Sequence, residues 1–161
     1  MSFFMKVNNA TGSAEDKNHQ GWIKLESMDF GVHRNISIRP GMGQDRSSSM
    51  PGIGEFVVTK GMDMASPFLF EKSYLGTSLG QVIIHASSSA DTSEYLEYQL
   101  QDVILGHYDV NGAVADEQDL LVETLHLNFT QIQMKYAPRN ANHVLGNPII
   151  TGYNVMQAAQ I

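Results

Sequence analysis

Apolar residues recur at every second position in segment after segment of this chain, and in two long runs the alternation changes phase partway. A period of two places one set of side chains on a buried face and the other in water, the signature of a half-buried strand. Segments of this kind fall at Phe3–Val7, Trp22–Val32, Asn35–Arg39, Gly54–Lys60, Gln81–Ala86, Tyr95–His107, Val122–Tyr136 and Ile149–Met156. So many β segments on 161 residues predict a mainly β fold, a compact barrel of two sheets, occupying residues 1–161 as one domain.

The phase changes carry further information. Ile23 and Leu25 share one face, after which Met28 and Phe30 take the apolar role; Leu125, Leu127 and Phe129 give way in the same manner to Ile132, Met134 and Tyr136. A slip of one residue exchanges the two faces of a strand, so a bulge or sharp bend is expected near Glu26–Ser27 and near Thr130–Gln131. The alternative reading is a strand buried on both faces. One segment reads as helix, with Ser66 as N-cap, Pro67 in the first turn and Gly76 just past the end. Leu69, Phe70 and Tyr74 fall on one side of it, and Phe68 and Leu75 on the other. A helix apolar on two sides is expected to be wedged between its own domain and something else, a neighbouring subunit being one candidate, with Phe68 and Leu75 at that contact.

Two stretches read as loops, Pro40–Gly54 and Pro138–Gly146. The first is long for a compact domain, and its Met42, Met50 and Ile53 are unusual for a tip that only meets water.

The chemistry-bearing templates fail one after another. Without cysteine there is no disulfide, thiolate metal site or thiol nucleophile. A net charge of -7, with ten scattered Lys and Arg, lacks the basic stripe that a nucleic acid or an anionic lipid surface would require. No run approaches the roughly 20 apolar residues of a membrane span. The start, MSFFMKVNNATG, lacks the form of a secretory signal, because Lys6 interrupts a short apolar run. Gly41-x-Gly43 and Gly52-x-Gly54 are followed by the wrong residues for a nucleotide fingerprint, and no G-x-S-x-G surrounds the serine clusters Ser47–Ser49 and Ser87–Ser89. The six histidines show no H-x-x-x-H or H-x-H spacing, so no metal site is predicted, and His85 and His126 are expected on outward strand faces. The acidic stretch Asp109–Asp119 does not fit an EF-hand and reads as a solvated turn. The expectation is a protein that is not an enzyme and holds no cofactor.

One ordered pattern is more specific. Asp16-Lys-Asn-His19 precedes Gly21-Trp-Ile and Met28-Asp-Phe-Gly31; Phe56-x-x-Thr59-Lys60 and Asp63-x-Ala65-Ser66-Pro67-x-Leu69 follow. Then come Glu94-Tyr95-Leu96, Leu100-Gln-Asp-Val103, Glu123-x-x-x-Leu127-Asn128-Phe129, Tyr136-x-Pro138 and Gly152-Tyr153-Asn154. In order and spacing the set resembles the Hcp family, the haemolysin-coregulated proteins of type VI secretion, over essentially the whole chain.

The resemblance implies a β-barrel with one helix beside it, assembled into hexameric rings that stack as a hollow tube. It implies as partners further copies of the chain, a contractile sheath, a VgrG-type spike and small effectors carried in the lumen, with neither nucleic acid nor membrane insertion. It also implies synthesis in the bacterial cytoplasm without a signal peptide and export by the type VI machine. In this chain the family's lumen-facing position would be Asp29, where a carboxylate replaces a small residue. Strand geometry agrees in pointing Asp29 away from Met28 and Phe30, although an ordinary solvent-facing residue would do the same. The long loop matches the family's ring-stacking loop and offers Met42, Gln44, Asp45, Arg46, Met50 and Pro51 for that contact; the alternative is a loop with no partner. The competing function is a small-molecule-binding, lipocalin-like barrel lined by the aromatic residues.

Overall fold

The computed structural model describes residues 1–36, 40–41, 49–91, 93–113 and 120–161. The fold is mainly β with one short helix, as the alternation predicts. A seven-stranded antiparallel sheet is built from β1 (Ser2–Val7), β2 (Ile23–Leu25), β7 (Val82–Ser87), β8 (Glu94–Gln101), β11 (Gln131–Tyr136), β12 (Ile149–Asn154) and β13 (Ala159–Gln160), in the order β13-β12-β11-β8-β7-β1-β2. A four-stranded sheet holds β3 (Ser27–Asp29), β6 (Phe56–Gly61), β9 (Ile104–Asn111) and β10 (Val122–Asn128) in the order β3-β6-β10-β9. The two-residue strands β4 (Val32–His33) and β5 (Gly52–Ile53) pair separately. Helix α1 spans Ser66–Leu75.

Both phase changes mark places where the chain passes from one sheet to the other. β2 belongs to the large sheet and β3 to the small one, with Glu26 between them donating its N–H to the Thr59 carbonyl at 2.8 Å. β10 and β11 are divided between the sheets in the same way, across the buried Phe129. At each corner the next residue must reverse its face to stay on the shared core, which is why the alternation slips. A third corner has no such signal. The segment read as one strand over Tyr95–His107 breaks between β8 and β9, where Asp102 takes a positive φ of 51° and Val103 pairs with Leu79 and Gly80 instead. The hydrogen bonds resolve into sheets joined at corners, and among the described residues no closed ring of strands is traced. β9 and β13 end the two sheets as edge strands.

The interior is filled. Met5, Ile23, Phe56, Val58, Leu69, Ile84, Leu100, Leu125 and Leu127 are all without exposure and form one cluster with the facing side chains of both sheets. Side chains occupy the place where a lipocalin-like pocket would hold its ligand, and that alternative finds no support.

Several local expectations are corrected. Asn35 and Ile36 carry no strand, and residues 37–39 of that segment lie outside the described residues. Asp109 sits within β9, while residues 114–119 of the acidic stretch are likewise outside. Ala65, not Ser66, occupies the helix N-cap; the Ser66 hydroxyl is drawn inward instead, as set out below. Gly76 does end the helix in the left-handed region, at φ 65°, and its N–H returns to the Lys72 carbonyl.

Candidate functional site

Alternation on the small sheet decides what its two faces can do. Inward positions carry Phe56, Val58, Leu125 and Leu127, but also Lys60 and Glu123, which pair across β6 and β10 with no exposure. Lys60 Nζ donates to Ser66 Oγ (3.0 Å), Asp63 Oδ1 (3.0 Å) and the Glu123 carboxylate. Ser66 Oγ donates to Glu123 at 2.7 Å, and the Tyr108 hydroxyl donates to the other Glu123 oxygen. Burial, and then Glu123, hold the Tyr108 hydroxyl well above the ordinary phenol range. A serine beside a lysine can serve as a nucleophile with its base, but an ammonium with all three protons committed has no lone pair to offer. The cluster fastens the start of α1 to the sheet.

The outward face of the same sheet is polar and shallow. Asp29 stands opposite Val57, which stands opposite His126, which stands opposite His107. One pair further along, Ser27 bonds Thr59 Oγ1 at 2.6 Å, and Thr59 faces Thr124. His126 reaches Glu55 at 3.0 Å. Asp29 is exposed, with Met28 and Phe30 turned to the core on either side of it, as its place in the strand predicts.

Among the described residues, the exposed apolar side chains include two groups on different elements. On α1 the residues left in solvent are Phe70, Tyr74 and Leu75, while Leu69 is buried and Phe68 is half-buried against the chain's own core. Phe70 leans on Tyr74 and Tyr108, with ring centroids 5.3 and 5.6 Å apart, beside a groove of about 440 Å³ shared with Met62 and Val110. The expected division of the helix therefore changes: Leu69 and Phe68 form its core side, and Phe70 joins Leu75 outside. The second lies at the far edge of the large sheet, where Ile149 is exposed on the strand face that carries Thr151 and Tyr153 towards a groove between Tyr153 and Ile53, and Ile150 is exposed on the opposite face.

The long loop is carried on the β4–β5 stem. Val32 pairs with Ile53 and His33 with Gly52, so closely that a side chain on Gly52 would meet the His33 ring at 2.2 Å. Met50 is exposed and Pro51 half-buried, while Met42, Gln44, Asp45 and Arg46 lie outside the described residues.

A cluster that spacing could not reveal lies where β1, β7 and β8 meet the 8–22 segment. His85 is buried, against the expected outward placement, and meets His19, which has no exposure at all. Gly12 makes this fit, since a Cβ there would lie 2.3 Å from the Trp22 carbonyl oxygen.

Comparison with known proteins supplies the deciding observation. The family model described as "Type VI secretion system effector, Hcp" matches residues 4–136 of this chain. The chain belongs to the Hcp family, the secreted tube proteins of type VI secretion. Protein hcp1 of Pseudomonas aeruginosa is 26% identical to this Hcp-family chain, over 99% of it and 98% of the relative. A solved type six secretion system protein superposes with a TM-score of 0.93 at 21% identity, covering 99% of each chain. Hcp1 from Salmonella typhimurium does so at 0.81 and 24%, covering 99% of this chain and 98% of its own. These likenesses establish the same fold.

Proposed function

We propose that this Hcp-family chain, one domain over its whole length, closes head to tail into a hexameric ring. Stacked rings then form the hollow tube of a type VI machine. The observation that carries the reading is a pair of unlike apolar surfaces in solvent, Phe70–Tyr74–Leu75 beside β9 and the open edge of β12, which exposes Ile149 on one face and Ile150 on the other. A head-to-tail contact joins two different surfaces of one molecule, and closes as a ring when its rotation divides a full turn. The polar face around Asp29 suits the water-filled bore, with Asp29 presenting negative charge to effectors. The stem-borne loop with Met50 and Pro51 suits a second, weaker contact between rings, methionine being adaptable in such places. Sheath, spike and effectors are the partners expected outside and inside the tube. The chain works by docking, with no catalytic step.

Mass photometry of the purified chain tests this directly. A closed particle near six times 17.8 kDa, seen as annuli by negative-stain microscopy, is the expected result. A monomer across the accessible concentration range would end the proposal.

A further inference from the structure

The meeting of His19, His85 and Glu94 has an unusual proton inventory. His19 Nδ1 faces Asp16 Oδ1 at 2.8 Å, and His85 Nε2 faces Glu97 Oε2 at 2.9 Å. The bond from His19 holds the Asp16 carboxyl below its usual range. Burial works to raise Glu97, but hydrogen bonds from Gln99 and His85 outweigh it and hold that group low as well. Each carboxylate thus engages one nitrogen of its histidine, and the other nitrogen of each ring is turned into the cluster. The other two nitrogens, His19 Nε2 and His85 Nδ1, lie 3.0 Å apart and face each other. Glu94 Oε1 completes a triangle with them, 3.3 Å from His19 and 3.9 Å from His85.

We infer that His19, His85 and Glu94 form a binding site for a divalent transition ion of the zinc class. Three ligand atoms within 4.8 Å of one another match the scale of such a site. Ligands about 2.0–2.1 Å from a tetrahedral zinc lie roughly 3.3 Å apart, so closing around the ion requires small side-chain adjustments only. Asp16 and Glu97, each on the far nitrogen of a ligand histidine, are the carboxylates that fix tautomer and ring orientation in zinc sites. Phe4 stacks on His19 at 4.2 Å and Trp22 lies 4.7 Å from the His85 ring, shielding both from water. Two imidazoles select against calcium and magnesium. Glu94 is part-exposed and leaves the fourth position open on that side. The bound ion would tie the 8–22 segment to β7 and β8 within a single chain, whether or not rings assemble.

Purified full-length protein, stripped with a chelator and dialysed, is titrated with ZnCl2 in a calorimeter. One Zn2+ per chain is expected, and Co2+ in its place should develop the visible absorption of a low-coordinate site. Glu94→Gln, a change at the exposed rim, should weaken binding at least tenfold while leaving the metal-free melting temperature in place. Glu97→Gln should weaken it by about 10–100-fold. Absence of saturable binding overturns the assignment. So does binding that Glu94→Gln leaves untouched, or that is lost instead in His126→Gln, where His107 and His126 lie with ring centroids 5.0 Å apart near the surface.

Discussion

Lys60 and Glu123 face each other across β6 and β10 at inward positions, forming an ion pair with no solvent exposure in line with the apolar inward residues of both strands. Removing one partner from such a pair leaves a buried charge uncompensated, at a cost of about 3–5 kcal/mol, whereas replacing both can be close to neutral. Lys60→Met is therefore expected to destabilise by about that amount. Lys60→Met with Glu123→Leu should recover a large part of it. Denaturant melts of wild type, Lys60→Met, Glu123→Leu and the double variant at one protein concentration measure the coupling, and simple additivity would show that the pair does not act as a unit.

Gly12 is held against backbone, not against side chains that can move aside. A Cβ there would lie 2.3 Å from the Trp22 carbonyl oxygen and 2.5 Å from Ile23 Cα. Gly12→Ala should cost about 1–3 kcal/mol or more. Gly31→Ala, where nothing lies within 4 Å, is the matched control and should leave the melting temperature nearly unchanged.

The two uncovered surfaces make complementary predictions. Phe70→Ser with Tyr74→Ser, and separately Ile149→Ser with Ile150→Ser, should each stop ring closure while the melting of the isolated chain stays near wild type. Mixed in equal amounts, the two variants still own one intact surface apiece and should form dimers that cannot grow. Rings reappearing in the mixture, or either variant assembling alone, would place the contact elsewhere. Sedimentation velocity distinguishes these outcomes.

Asp91 ties the turn before β8 to the loop after β11. Its carboxylate accepts from the Ser93 hydroxyl at 2.7 Å and takes Arg139 Nη2 on both oxygens at 2.6 Å, and these bonds lower its pKa to about 2. A depressed carboxylate contributes stability that is complete above its unfolded value of 3.8 and lost as pH falls towards 2. Carboxyl-carbon NMR should find the Asp91 midpoint near the lower value. It should rise towards the upper one in Ser93→Ala, and by a smaller step in Arg139→Gln.

Much of this architecture could be read in the chain itself. Period-two patterning is a local consequence of a strand with one wet face, so Phe3–Val7, Gly54–Lys60 and Ile149–Met156 are found within a residue or two of β1, β6 and β12. A corner leaves a local trace when the residues on both sides keep pointing at the same core, as at Glu26 and at Phe129. Asp102 leaves no usable trace: aspartate is enriched in the left-handed region it adopts, but a single Asp inside an otherwise strand-like run does not mark a turn. The helix end was equally legible in Gly76, while its start was not: Ser66 has the right chemistry for a cap, but a buried lysine and glutamate compete for its hydroxyl.

Sequence alone determined the β class, two of the crossing points between sheets, the outward place of Asp29 and the ordered motifs of the Hcp family, since each depends on neighbours along the chain. Tertiary structure alone decided which inward positions carry Lys60 and Glu123, which helix residues stay in solvent, and that His19 meets His85 from 66 positions away. Those facts depend on which strand lies beside which. Strand pairing is fixed by the burial of the whole core, a sum over contacts that no short stretch of residues contains.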